Sequence, residues 1–446
     1  MRHFLQLLRA RAEAPLYRKA TGNVSNSTER KSWSYETLRD SLQADGDGAF
    51  HAACNDYRLS SHFQPIISLT HARVIGHEGL MRPLDSRLQP IGPHQLLQQA
   101  EEKPAELLKL DRLSRLLHMA NAGNAKQGWL FLNMHPRVFA TQSSDDLRIF
   151  LTRACDEFGI DRGHIVIEIL EHSLRDEGEF ADAVLNIREH GYLMALDDFG
   201  AGHSNFDRVW KVSPEIVKLD RVFALGAEND SRIRRLLPRI VALLHEAGVF
   251  VVLEGIETRI QAMIALDANI DFAQGYYFGR PQPTPLKIHS VVNAAADLWQ
   301  DYESDIVEQQ HQTEIRLKPY QTAILQAANR IIAGVSLADA CLAFLALPNA
   351  EFCYLLDSDG RQVGGNVWQP DYTAGPLGAR FSPISNIGGA RWARRPYFRS
   401  AIDNIGKVQA TIPYLSASSA HVCITVSFAF HQADDIRVIC GDIVWE

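Results

Sequence analysis

From about residue 58 to 285 the chain repeats one pattern: an apolar run of strand length ends in a polar residue, and a helical stretch follows. The runs are Trp129–Leu132 ending in Asn133, Ile165–Ile167 ending in Glu168, and Leu193–Leu196 ending in Asp197. Ile216-Val217 ending in Lys218, Val249–Leu253 ending in Glu254, and Phe272-Ala273 ending in Gln274 continue the series. Successive run ends lie 20 to 36 residues apart, the length of one strand–helix unit. Near-continuous apolar strands alternating with helices predict a parallel sheet covered on both faces. Six such units, with two more strands near Phe63–Leu69 and Val74–Leu80, are enough to close a (β/α)₈ barrel. In such a barrel the C-terminal strand ends converge on one face, so the polar residues would meet across one mouth.

The flanking segments read differently. Residues 1–54 hold one short helix candidate and then TGNVSNSTERKS, a Ser/Asn/Thr-rich arm. Residues 286–345 read as helical throughout, with Val291-Val292, Ala295, Leu298 and Tyr302 at helical spacing, and predict a linking helix. Residues 346–446 carry FCYLL, HVCITVSFAF and IRVICGDIVW between Gly, Asp and Ser, which predicts a smaller α/β domain. The expected division is therefore arm 1–54, barrel 55–285, helical linker 286–345 and C-terminal domain 346–446.

Composition changes this picture little. At 446 residues, two domains plus linkers are expected, and 46% hydrophobic with 22% charged residues fits a soluble globular chain. A formal net charge of −8 argues against a general polyanion binder but leaves room for a small phosphate ligand. The six cysteines form no CxxC pair and sit mostly in apolar runs, so reduced, buried thiols in a cytoplasmic protein are expected. No apolar stretch reaches the ~18 residues of a membrane helix. The basic N-terminus MRHFLQLLRARAEAPLYRKA lacks the apolar core and cleavage site of a secretory signal.

The candidate chemistry lies at the strand ends. Asp197-Asp198 opens onto Phe199-Gly200-Ala201-Gly202. Adjacent carboxylates repel, so either water solvates both, one of them capping the next helix, or cations sit between them. Glu78, Asn133, Glu168, Asp197, Asp198, Lys218, Glu254 and Gln274 would converge, and hard oxygen donors without Cys or His suit Mg²⁺ or Mn²⁺. Two reaction classes fit. One is two-metal phosphodiester hydrolysis; the other is a single-metal barrel lyase using Lys218 as a base beside a carboxylate. The adjacent Asp pair favours two metals.

The stretches SHFQPIISL, HEGLMRP, FLNMHP, IEILE, LDDFGAG, VKLD, VLEGIET and QGYYFGRP, in this order over about residues 55–285, resemble the motifs of EAL-domain cyclic di-GMP phosphodiesterases. The resemblance implies a TIM-like (β/α)₈ barrel with one antiparallel strand and Mg²⁺- or Mn²⁺-dependent cleavage of cyclic di-GMP to linear pGpG. It matches Glu78, Asn133, Glu168 and Asp197 to the ligands of a first metal, with Asp197 bridging to a second held also by Asp198. Lys218 matches the lysine that contacts the attacking water, and Glu254 the glutamate beside it. Arg82 matches the arginine on the substrate phosphate and Gln274 the glutamine lining the site; Gln64 and Asp220 fall in substrate-binding motifs. Glu171 and Glu257 match glutamates that brace the loop after the Asp pair. Around Ser204–Trp210 the resemblance implies a homodimer contact, for which Phe206, Val209 and Trp210 supply apolar surface. The name motif reads Glu78-Gly79-Leu80, with Gly where Ala is usual, and no functional side chain is lost. A catalytically weak cyclic di-GMP receptor is the alternative.

In the C-terminal domain LLDSDGRQVGGNV and RRPYFRSAI, followed by strands, resemble a Cache-type, PAS-like sensor fold. That resemblance places Trp392, Arg395 and Tyr397 at a pocket for a small ligand. The competing reading is a helix start with the aromatic pair in the core and the arginines solvated.

Overall fold

The computed structural model describes residues 33–46, 48–141, 144–170, 184–201, 206–370, 388–419, 421–433 and 435–445. Two compact units emerge, Met1–Tyr302 and Glu303–Glu446.

In the first unit a short hairpin, β1 (Leu42–Ala44) and β2 (Phe50–Cys54), pairs onto β3 (Tyr57–Ser68). The other strands are β4 (Arg73–Leu84), β5 (Trp129–Asn133), β6 (Ile165–Leu170), β7 (Leu193–Phe199), β8 (Ile216–Leu219), β9 (Phe250–Leu253) and β10 (Phe272–Ala273). Strands β4 to β10 pair in parallel in sequence order. β3 pairs antiparallel with both β4 and β10 and so closes the ring. The result is an eight-stranded barrel with one antiparallel strand, as the sequence led us to expect.

The expected strand at Leu193–Leu196 proves longer, running to Phe199 through both aspartates. Residues 286–292 are not helical as the sequence suggested. Val291 instead bridges Arg73 at the start of β4, and the helix begins only at Asn293, running to Ile332. Among the described residues no helix is long and apolar enough to cross a membrane, and all six cysteines are buried and unpaired.

The second unit is built on one antiparallel sheet: β11 (Ala350–Leu356), β12 (Gln362–Trp368), β13 (Val408–Ala410), β14 (Tyr414–Leu415), β15 (Val422–Gln432) and β16 (Asp435–Val444). The strand order is β12-β11-β16-β15-β13, with β14 beside β15. Alternation along β11 makes two cores. Cys353 and Leu355 pack with Ile324, Ala328 and Phe344, while Phe352, Tyr354 and Leu356 pack with Tyr397 and Phe398 on the other face. Tyr397 and Phe398 lie in the helix Pro396–Asp403, whose first residue is a proline preceded by Arg395 at the N-cap.

Candidate active site

Period-two geometry builds the mouth of the barrel. Ile66, Phe131, Val166, Ala195, Ile216 and Val252 form a separate apolar cluster, with Phe272 packed against it, and these residues come from seven of the eight strands. A strand turns every second side chain to the same face. The residue two positions further on, toward the mouth, is Asn133, Glu168, Asp197, Lys218, Glu254 or Gln274. On antiparallel β3 the same step runs backward and yields Gln64. On β4 the position below Glu78 is Gly76, where a Cβ would come within 2.5 Å of the Trp129 carbonyl oxygen. An apolar layer thus floors a polar one.

Lys218 is the centre of that polar layer. It is 1% exposed. Its Nζ lies 2.5 Å from Glu168 Oε1, 2.5 Å from Glu254 Oε1, 3.3 Å from Asp197 Oδ1 and 3.5 Å from Glu78 Oε2. Asn133 Nδ2 donates to Glu78 Oε1 at 2.7 Å and Gln274 Nε2 to Glu78 Oε2 at 2.7 Å. Gln274 Nε2 also reaches Gln64 Oε1 at 3.4 Å.

Burial, opposed chiefly by the charge of Lys218, dominates the electrostatics, and repulsion between the carboxylates comes after. Burial pushes Glu168 well above the usual carboxylate range, with Glu78 and Asp197 adding to it and Lys218 opposing. Burial likewise raises Asp197, and Glu254 is pushed up to about 8. Glu78 goes the other way: burial opposes its ionisation, but Lys218 and the amides of Gln274 and Asn133 together hold it below the usual value. Lys218 is disfavoured as a cation by burial, yet Asp197, Glu168, Glu254 and Glu78 hold its ammonium well above the ordinary lysine range.

Asp198 explains itself only in three dimensions. In a regular strand it would point away from Asp197. Its φ is +55°, in the left-handed region, and the pairing of β7 with β8 slips between Leu196 and Phe199. That bulge breaks the alternation. Carboxylate oxygens of Asp197, Asp198 and Glu254 consequently lie within 4.8 Å of one another. Gly200 follows with φ +102°, and a Cβ there would meet the Phe223 ring at 2.1 Å.

The donor set suits hard divalent cations. All of it is oxygen. Among the described residues Glu168 Oε2 is buried and accepts no hydrogen bond. Glu78, Glu168, Asp197, Asp198 and Glu254, five carboxylates in ionised form, set against one ammonium leave four negative charges, the charge of two divalent cations.

The remaining residues expected at the site scatter. Arg82 is half-buried on β4 and donates to the Met81 carbonyl at 3.0 Å. Asp220 caps the helix Arg221–Asn229, accepting from Val222 N at 2.8 Å. Glu257 is exposed before the helix Arg259–Asp267, and Glu171 lies outside the described residues, as does Ser204. Val209 requires a correction: it is buried in the barrel's core and supplies no surface, because its helical position faces inward. Trp210 is 58% exposed, and Phe206 packs on Phe199 at 5.3 Å.

Sequence reasoning missed three residues near the site. Tyr276 is exposed with the Arg280 guanidinium 4.3 Å from its ring centroid, and it lies close enough to Arg82 to favour that residue's charge. The QGYYFGRP stretch held both residues but gave no spacing signal for them. His118 is the third missed residue. Its ring fills the space that an alanine methyl would take at Gly79: a Cβ there would sit 2.8 Å from His118 Cγ. The imidazole is fixed by Ser61 Oγ at 2.8 Å and Ser114 Oγ at 3.1 Å, and burial lowers its pKa to about 3. The glycine of the name motif is thus a packing requirement.

Comparison with known proteins agrees with this architecture. The model of the EAL domain matches residues 48–281. The cyclic di-GMP phosphodiesterase RocR of Pseudomonas aeruginosa is 28% identical over 232 residues, covering 50% of this chain and 58% of RocR. The oxygen sensor protein DosP of Escherichia coli is 26% identical over 242 residues, covering 53% of this chain and 30% of DosP. This chain therefore spans less than two thirds of either relative. The EAL-domain containing protein YkuI of Bacillus subtilis is 23% identical over 397 residues, covering 84% of this chain and 95% of YkuI. The crystal structure of YkuI, in complex with cyclic di-GMP and calcium, superposes with a TM-score of 0.73 at 22% identity, covering 87% of this chain and 96% of that one, which shows a shared fold. With a closed barrel, a carboxylate-rich mouth and a family match over more than half its length, the chain belongs to the EAL domain family.

Proposed function

We propose that the protein hydrolyses one phosphodiester bond of cyclic di-GMP to give linear pGpG. The observation that carries this reading is the polar layer itself: four carboxylates gathered around one buried lysine, with Asp198 beside two of them and a carboxylate oxygen left unspent. The names of RocR and other EAL-domain relatives support the substrate.

In this reading Glu78, Asn133, Glu168, Asp197 and Asp198 hold two Mg²⁺ or Mn²⁺ ions, which when bound supply Lewis-acid stabilisation of charge on the phosphate. Asn133 binds through its side-chain oxygen, since its Nδ2 already donates to Glu78. Lys218 donates to the attacking water and orients it. Glu254, 2.5 Å from that ammonium, is the carboxylate placed to take the water's proton. The water oxygen forms a bond to phosphorus, the bond to the 3′ oxygen breaks, and the leaving oxygen takes up a proton. Arg82 binds a phosphate oxygen, while Gln64, Gln274 and Asp220 line the substrate. Glu171 and Glu257 brace the loop after the Asp pair.

Regulation completes the proposal. A homodimer forms beside that loop, with Trp210 and Phe206 as the apolar contact, and the C-terminal domain acts as a PAS- or Cache-like sensor joined through the helix Asn293–Ile332. Six buried, unpaired thiols accord with a cytoplasmic location.

The test is incubation of purified protein with cyclic di-GMP and Mg²⁺ or Mn²⁺. We expect pGpG only with the cation, and none from Glu78→Ala or Asp197→Ala. Tight nucleotide binding without product under either cation would make the protein a receptor instead.

A further inference from the structure

The helix Pro104–Ala120 packs behind β4 and β5, the strands that carry Glu78 and Asn133, and part of its inner face is polar. Asp111, Arg115 and His118 stand four and three residues apart, a spacing that puts them on one side of a helix. All three are buried. His118 packs on Gly79, next to Glu78. The other two pair with each other.

Arg115 is fully enclosed, at 0% exposure. Its Nη1 lies 2.5 Å from Asp111 Oδ2, and among the described residues none of its three nitrogens makes a hydrogen bond. A buried ion pair of this kind is no better for stability than well-packed apolar side chains of the same size. What the pair does is hold one oxygen in place. With the guanidinium against Oδ2, Asp111 Oδ1 accepts from the backbone N–H of His135 at 2.8 Å. A carboxylate acceptor makes a stronger bond than a neutral one.

His135 stands two residues beyond Asn133, and the turn that joins them is pinned on all sides. Met134 N donates to the Glu168 carbonyl on β6 at 3.0 Å. The His135 ring meets Glu101 Oε1 through Nε2 at 3.1 Å and accepts from Arg137 N at Nδ1, 3.3 Å away. Pro136 has no N–H to place. The His135 N–H is therefore the remaining backbone donor of the turn, and Asp111 receives it. So held, the turn leaves the Asn133 side chain directed at Glu78, with Nδ2 2.7 Å from Oε1.

We propose that Asp111, backed by Arg115, is a positioning residue for the cation site: it fixes the turn after Asn133 so that the Asn133 side-chain oxygen faces the first cation. The inference rests on the two-cation reading given above. Partners behind a metal ligand set its affinity by about 10–100-fold.

The experiment titrates Mn²⁺ into the full chain by calorimetry, without nucleotide, with Asp197→Ala as the blank for ions bound elsewhere. Two double variants differ only in the acceptor. Asp111→Asn/Arg115→Met keeps an oxygen for the His135 N–H, Asp111→Leu/Arg115→Met removes it, and neither leaves a buried charge. The leucine pair should bind Mn²⁺ at least about tenfold more weakly, and the asparagine pair as wild type does. Saturating Mn²⁺ should then restore most of the leucine pair's kcat, a split between cation affinity and turnover that a general loosening of the fold does not produce. Arg115→Lys keeps a cation where no N–H makes a hydrogen bond, so it too should match wild type, and it carries the rescue if the asparagine pair does not fold. Asp111→Val/Arg115→Met stands in if the leucine pair does not fold. Equal Mn²⁺ affinity with and without the acceptor overturns the proposal. Failure of both apolar pairs to fold also overturns it, since the bond would then hold the fold and not the site. Mn²⁺ binding without hydrolysis would sink the hydrolase reading and leave the affinity comparison intact, whereas a wild type that binds no Mn²⁺ overturns the cation reading and this inference with it.

Discussion

The barrel mouth and the second unit bury polar groups in opposite ways. At the mouth the surplus is of acceptors: carboxylates crowd one lysine, and a glutamate oxygen is left without a donor. In the second unit the acids are served. Asp442 has hydroxyl donors, and Glu351 accepts from Ser419 Oγ at 2.8 Å, from Cys423 Sγ at 3.0 Å and from His421 Nδ1. Burial makes every unspent group expensive, so the sign of the surplus indicates the sign of the ligand. The mouth calls for cations, whereas the second unit keeps its buried acids paired with donors.

The largest effect should come from taking away the cations or their ligands. Chelation should abolish pGpG formation, and Glu168→Gln should lower kcat by at least about 10²-fold, on the scale of losing one preorganised electrostatic group. Steady-state kinetics in Mn²⁺ check both, and a Glu168→Gln enzyme of normal kcat would remove Glu168 from the surplus.

A second test asks whether Lys218 holds the carboxylates together in the protein without metal. Lys218→Met leaves them unpaired, and breaking a buried pair costs about 3–5 kcal/mol. Urea unfolding without divalent ions should show that loss, with Mn²⁺ restoring part of it. The same variant should lose kcat more than it raises KM, because the ammonium acts on the water.

The third prediction concerns the served acid. Asp442 is raised from 3.8 to about 7, by burial first and against its hydroxyl donors. A raised carboxyl binds its proton more tightly in the folded state. The stability it lends is therefore full below about pH 4 and is lost as pH rises toward 7, a span of roughly 4 kcal/mol at one pKa unit per 1.36 kcal/mol. Asp442→Asn should flatten that slope in urea midpoints measured from pH 4 to 8. An unchanged slope would show that Asp442 is ionised throughout.

The smallest effect lies behind the mouth. Gly79→Ala places a methyl against the His118 ring and should destabilise by about 1–3 kcal/mol, with His118→Ala relieving the clash. If Gly79→Ala is neutral, the ring has room to move and the polar layer is looser than its contacts suggest.

Much of the barrel was legible because a parallel strand is buried on both faces and so reads as an unbroken apolar run. Phe131, Val166, Ala195, Ile216 and Val252 each stand in such a run, and the polar residue two places on marks the mouth. The antiparallel strand was harder: Gln64 precedes its apolar partner Ile66, so the run-then-polar rule does not find it, and only motif resemblance did.

Local pattern thus determined the barrel, the strand ends, and the residue types that gather at the mouth, because alternation and burial act between neighbours in sequence. Tertiary structure alone decided three other things. The left-handed Asp198 turns two adjacent carboxylates to one side, through a slip in pairing with β8. His118, from a helix far along the chain, made glycine necessary at position 79. The relay of hydrogen bonds from Trp392 through Gln362 to Asn366 left one buried amide unspent. Each depends on which distant group stands opposite, and spacing along one chain carries no record of that.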